Sequence, residues 1–186
     1  MYFQAFLLDS NESNAYLVGC SETHEAILID AGCYDRRIGG FLLQSELSLK
    51  YIFLTHDHFD HTDGIPDFLD ECEGEIEVIG AFPTSYGGRV IRHGDEIAVG
   101  RLRGRFLDTS GHTPDSYSLV LEERMVFVGD ALFAGSIGGA VGEAREREIE
   151  NIRRNIFTLG DHVEIYPGHG PATLVGIERQ KNPFFL

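Results

Sequence analysis

Short apolar runs separated by turn residues fill the first third of the chain. Residues 2–8 form the first run, 9–14 a polar turn, and 15–18 and 26–29 two further runs rich in β-formers. Asp30-Ala31-Gly32 ends the third run. A helix is expected over about 35–47, weakened by Gly39-Gly40, and a buried strand over 51–54 runs straight into Thr55-His56. Residues 65–72 read as a short helix. Residues 76–79 and the stretch 97–107 read as strands, and 116–122 with 125–128 as a hairpin around Glu123-Arg124. The clearest helix is 143–159: Ile149, Ile152, Ile156 and Leu159 form a stripe at helical spacing. Glu143/Arg147 and Glu150/Arg154 are favourable i,i+4 pairs, and Gly160 is a stop. A last strand, 163–166, leads into Pro167-Gly168-His169-Gly170. With no linker or low-complexity segment between them, these elements predict one α/β sandwich domain spanning 1–186.

Charge narrows the partners. The formal net charge of −15 argues against nucleic acid, whose phosphates need a basic surface, and against an anionic membrane. No apolar run reaches the roughly 20 residues that span a bilayer. Cys20, Cys33 and Cys72 have no C-x-x-C spacing, and the start has no secretory pattern, so the expected compartment is the cytoplasm. Nothing in the sequence sets an oligomeric state.

The chemistry sits in Thr55-His56-Asp57-His58-Phe59-Asp60-His61, directly after a buried strand. Imidazole and carboxylate suit zinc, iron and manganese. Ligands this close in sequence would clash around one ion, so the natural reading is two neighbouring metals. Asp57 and Phe59, between the ligands, are candidates for the substrate mouth or for packing. Tyr34, Phe133 and Tyr166 are candidates to wall the pocket, and residues 135–142 read as a flexible rim. His24, His93 and His162 are expected in surface or turn roles.

The motif resembles the signature of the metallo-β-lactamase superfamily. That resemblance implies a four-layer αβ/βα sandwich and three further ligands at strand ends. His112, in Ser110-Gly111-His112-Thr113, Asp130, in Gly129-Asp130, and His169, in Gly168-His169-Gly170, match them in order. It also implies that His56, His58 and His112 hold one divalent ion, that Asp60, His61 and His169 hold a second, and that Asp130 bridges them. The metals would be zinc and/or iron, with manganese an option. Asp60 and Asp130 would serve catalysis by holding and orienting a bridging hydroxide. Asp30 is a candidate to receive a ring N–H from a ligand histidine.

The words Asn14-Ala15-Tyr16-Leu17, Ile29-Asp30-Ala31-Gly32 and Gly129-Asp130-Ala131-Leu132-Phe133-Ala134-Gly135 resemble glyoxalase II, in particular its short, hydroxyacylglutathione hydrolase-like branch without a helical C-terminal domain. The implied activity is hydrolysis of a small-molecule thioester. Gly139-Ala140 stands where many relatives carry a basic residue, which puts glutathione as the thiol in question. Two alternatives stand beside this reading: a mononuclear iron persulfide dioxygenase using His56, His112 and Asp130, and another metallo-hydrolase such as a lactonase.

Overall fold

Alternation along the strands decides the architecture. In the computed structural model, which describes residues 1–186, β1 (Tyr2–Leu7), β2 (Asn14–Gly19), β3 (Glu25–Ile29), β4 (Ser48–Phe53), β5 (Glu77–Gly80) and β6 (Arg89–Val90) form one sheet in that order. There follow β7 (Glu96–Val99), β8 (Leu102–Asp108), β9 (Tyr117–Leu121), β10 (Met125–Gly129), a small hairpin of β11 (Leu132–Phe133) and β12 (Ser136–Ile137), then β13 (Glu164–Pro167) and β14 (Thr173–Leu174). The second six-stranded sheet runs β14-β13-β10-β9-β8-β7.

Successive side chains point to opposite faces, so each central strand feeds two apolar layers. In β2, Ala15 and Leu17 face one way and Tyr16 and Val18 the other; in β10, Met125 and Phe127 oppose Val126 and Val128. Three cores result. The middle one lies between the sheets, where Ile27, Ile29 and Phe53 meet Phe106, Leu119 and Phe127. An outer one packs α1 (Arg36–Gln44) and α3 (Ile65–Glu71) on the first sheet through Ile38, Leu42, Ile65 and Phe68. The other packs the helical segment beginning with α4 (Glu143–Asn151) on the second sheet through Ile152 and Ile156. This is the four-layer αβ/βα sandwich. Burial on both faces explains why 26–29 and 51–54 read as unbroken apolar runs. The register is parallel for β3/β4, β4/β5 and β10/β13. No helix is long and apolar enough to cross a membrane.

Several expectations need correction. The first helix is shorter than 35–47: Asp35 is its N-cap, accepting from the Arg37 N–H at 2.8 Å, and residues 45–47 lie beyond its end. The stretch 97–107 is the turned pair β7/β8. The rim 135–142 includes half of the β11/β12 hairpin. The helix 143–159 is α-helical only to Asn151 and continues as a π-helical turn, Ile152–Ile156, closed by Phe157 N–H donating to Ile152 O at 2.9 Å. The wider turn keeps Ile152, Asn155 and Ile156 all buried. It also lets Asn155 donate to Asp108 O (2.7 Å) and Asn151 to Ser110 O (2.9 Å), anchoring the segment that carries His112. Neither i,i+4 pair closes into an ion pair; Arg145 donates instead to Ala140 O at 2.9 Å. Two short helices, α2 (Phe59–Thr62) and α5 (Val175–Lys181), were not anticipated.

Candidate metal centre

The strands deliver their ends to one edge, where the sheets meet. His56 follows β4, Asp130 follows β10, His169 follows β13, and His112 lies four residues beyond β8. Asp60 and His61 sit on α2, whose single turn folds them back beside His56. The start of β2 closes the seam. Asn14 N–H donates to Gly168 O (2.7 Å), and its side chain donates to Pro167 O and Gly170 O; Tyr16 OH donates to Pro167 O at 2.6 Å.

The seven side chains stand in two groups, His56, His58, His112 and Asp130 in one, Asp60, His61 and His169 in the other, with the donor atoms of each within 4.8 Å of one another. Asp130 reaches both. Its Oδ2 lies 4.0 Å from His56 Nε2, 3.8 Å from His112 Nε2 and 3.7 Å from His169 Nε2, and its Oδ1 lies 3.5 Å from His61 Nε2. His58 Nδ1 is 3.0 Å from His56 Nε2 and 3.2 Å from His112 Nε2, and His169 Nε2 is 3.3 Å from Asp60 Oδ2. Donors held about 2.0–2.1 Å from one tetrahedral ion are spaced roughly 3.4 Å apart, so the set fits a cation in each group. Inside the cluster, His61 Nε2 and Asp130 Oδ1 are buried without any hydrogen-bond partner, a costly arrangement that a cation would relieve.

Backbone and side-chain acceptors orient the rings. Asp30 is the hub: its carboxylate accepts from Thr55 N (2.9 Å), Thr55 Oγ1 (2.9 Å) and His61 Nδ1 (2.9 Å). Thr55 Oγ1 spends its proton on Asp30 and therefore accepts from His56 Nδ1 at 3.0 Å. His169 Nδ1 donates to Glu12 O at 3.3 Å. In all three rings the Nδ1 proton is fixed outward, which leaves Nε2 facing the centre as the atom able to ligate. Asn11 donates to Asp60 Oδ2 (2.8 Å) and Ser13 Oγ to Asp60 O (2.7 Å). Asn11 and Glu12 are both left-handed, at φ 52° and 54°, which folds their turn over the site.

Electrostatics follow from burial. Burial, then the neighbouring His61, His58 and His112 rings, hold His56 far below the ordinary imidazole range. Burial also works against a charge on His61, yet Asp30, by charge and hydrogen bond, lifts its pKa to about 9. Burial raises Asp130 against the pull of the surrounding histidines. It opposes ionisation of Asp60 too, but Asn11 and His61 hold that carboxyl below its usual range.

Other candidates fall elsewhere. Tyr166 is buried in the core between the sheets and Tyr34 packs on Phe68, so neither walls the site; Phe133 lies beside His169, ring centres 6.4 Å apart. His24 meets Glu46 O, and His93 accepts from Asp108 N–H. Sequence reasoning passed over Asn11, Glu12 and Ser13, which looked like an ordinary polar turn, and Glu148. The last is fully buried on α4, its backbone packed against Gly111, with both oxygens near the amides of Gly138 and His112 but in no well-formed hydrogen bond. Burial lifts its pKa to about 7.

A four-layer sandwich with a cluster of imidazoles and carboxylates at its seam defines a class of metal-dependent enzymes, and the chain belongs to the metallo-beta-lactamase superfamily, matched over residues 9–174. It is 29% identical to a probable metallo-hydrolase, YqgX, of Bacillus subtilis, over 93% of this chain and 92% of that one. It is 27% identical to the hydroxyacylglutathione hydrolase of Actinobacillus pleuropneumoniae over 84% of its length, and spans 66% of that protein. Among solved structures it superposes on ETHE1 from Myxococcus xanthus with a TM-score of 0.88, at 31% identity, covering 98% of this chain and 84% of the other.

Proposed function

We propose that this protein is a dinuclear metal-dependent hydrolase of small-molecule thioesters. The observation that carries the reading is the place of Asp130, whose two oxygens face both donor groups at 3.5–4.0 Å. An anion shared by two dications lowers their repulsion. When bound, the ions would supply a water of lowered pKa as nucleophile and positive charge for the developing oxyanion.

The chain's own residues do the rest. His56, His58 and His112 would hold one ion and Asp60, His61 and His169 the other, with the Asp130 carboxylate facing both groups. Asp30, Thr55 and the Glu12 carbonyl keep the ring lone pairs aimed inward. Asn11 fixes the Asp60 carboxylate, which helps orient the nucleophile. His58 is exposed and His169 about a quarter exposed, leaving an approach for a thioester carbonyl. A thiolate leaves without strong acid assistance, which suits a cluster whose carboxylates face imidazole rings or hydrogen-bond donors. The likeness to a hydroxyacylglutathione hydrolase supports the same bond type.

A second reading, the mononuclear iron persulfide dioxygenase, draws on His56, His112 and Asp130, which stand together in one group. Metal analysis with an anaerobic assay separates the two. The hydrolase should hold close to two metals per chain and cleave at least one S-lactoyl thioester, of glutathione or of a simple aminothiol, without oxygen. One iron per chain, with oxygen uptake on glutathione persulfide and no anaerobic cleavage, refutes it.

A further inference from the structure

Beside the metal centre lies a cavity of about 320 Å³ whose chemistry the hydrolytic step leaves unused. Its walls include Asp57, Thr62, Phe82, Ser85, Tyr86 and Asp115. It adjoins the candidate ligands through the chain itself. Asp57 sits between His56 and His58, about 3.8 Å from each along the Cα trace. Asp115 lies three residues beyond His112, and Thr62 follows His61 and donates its hydroxyl to His58 O at 3.0 Å.

The charge of this cavity is one-sided. Two carboxylates line it and no Lys or Arg does. The arginine ion pairs of the chain engage Asp35, Glu77, Glu22, Glu123 and Asp161, and neither Asp57 nor Asp115. Asp115 is half-buried, so its charge is only partly screened by water. Phe82 and Tyr86 remain 55% and 40% exposed, large aromatic surfaces left open at the cavity wall. Unpaired carboxylates beside aromatic faces form a receptor for a cation, above all a substituted ammonium, whose charge meets the carboxylates and whose methyl or methylene groups meet the rings. The same two carboxylates repel a carboxylate or phosphate.

We propose that the cavity receives the thiol-side arm of the substrate and selects for a positive charge on it. The substrate class is then the thioester of an aminothiol rather than of a carboxylate-bearing peptide thiol. The inference rests on the hydrolase reading for the bond that is cleaved, but not for the charge that is recognised.

The test uses metal-loaded protein and unreactive thioether probes, so that binding is read without turnover. S-(2-oxopropyl)thiocholine carries a quaternary ammonium; its 3,3-dimethylbutyl counterpart is the same shape without charge. Calorimetry should show the cation binding about tenfold tighter, with the preference shrinking as salt is raised. Asp115→Asn and, separately, Tyr86→Leu should each reduce that ratio to about threefold or less. Equal binding of the two probes by the parent protein overturns the proposal, as does a preference that survives both substitutions. The matching S-lactoyl thioesters then divide the two claims. Charge-selective binding with no cleavage of any thioester overturns the hydrolase reading alone. Cleavage with no charge selectivity overturns the assignment of the cavity alone.

Discussion

Replacing Asp30 with asparagine should remove a pH-dependent part of the stability and empty one metal position. Asp30 is 2% exposed and left-handed at φ 59°, a conformation asparagine tolerates, so the substitution changes charge without adding backbone strain. In the metal-free protein Asp30 is the main cause of the high pKa of His61, about 9 against an ordinary 6.5. That difference corresponds to about 3 kcal/mol. Because the folded pKa is the raised one, the contribution is complete below pH 6.5, declines between 6.5 and 9, and is gone above 9. Urea unfolding of chelated protein followed by circular dichroism should therefore show the variant about 3 kcal/mol less stable at pH 6, with a much smaller gap at pH 10. The tautomer changes as well. One amide oxygen can still accept from Thr55 N–H, but the amide NH₂ then faces His61 Nδ1 and donates to it. That places the ring proton on Nε2, where a metal needs a lone pair. Reloaded variant should bind about one metal per chain instead of two. A deficit that does not vary with pH, or full retention of two metals, refutes the role given to Asp30.

Gly168→Ala probes the seam directly: a Cβ there would stand 2.1 Å from Asp130 Oδ1 and 2.7 Å from His61 Cε1. Metal content should fall by at least half, at a stability cost of about 1–3 kcal/mol and with an unchanged far-ultraviolet spectrum; normal metal content would show that the two side chains are not held against this loop. Glu148→Gln should stabilise the chelated protein in a pH-dependent way. The folded pKa of Glu148 is raised from 4.5 to about 7, so its acid form favours folding at low pH and that benefit is lost as pH rises through 7. The unfolding free energy of the variant, from urea titration, should match the parent at pH 4.5 and exceed it at pH 8, by up to about 3 kcal/mol; a gain of equal size at both values refutes the buried-acid account.

The layered fold was legible because double-faced strands must be apolar throughout, and residues 15–18, 26–29, 51–54 and 125–128 are. The run His56-Asp57-His58-Phe59-Asp60-His61 was legible as candidate chemistry because it follows such a strand directly, whereas His112, Asp130 and His169, each in a step that reads locally as a turn, stood out only through the family resemblance. What stayed hidden depends on geometry that no local pattern records. Asn11 and Glu12 reach Asp60 and His169 only because two successive left-handed residues fold their turn over the site. Glu148 sits among charged neighbours in sequence that give no sign of burial, but Gly111 has no side chain to hold α4 away, and the carboxyl is buried behind His112. The π-helical turn left the Ile152 and Ile156 stripe readable while changing the hydrogen bonding beneath it.

The route of the chain gives the metal centre a second consequence. The backbone passes between the sheets once, after β6 and before β7, and the donors are divided across that passage: His56, His58, Asp60 and His61 before it, His112, Asp130 and His169 after it. Any ion bound there is a clasp between two halves that share one covalent joint. It closes long loops in the way a cross-link does, and its binding free energy adds to the cohesion of the whole molecule, about 4 kcal/mol when free metal exceeds its dissociation constant a thousandfold. Metal supply would then govern how long the protein survives as well as whether it works: limited proteolysis of chelated protein should cut faster than that of metal-loaded protein.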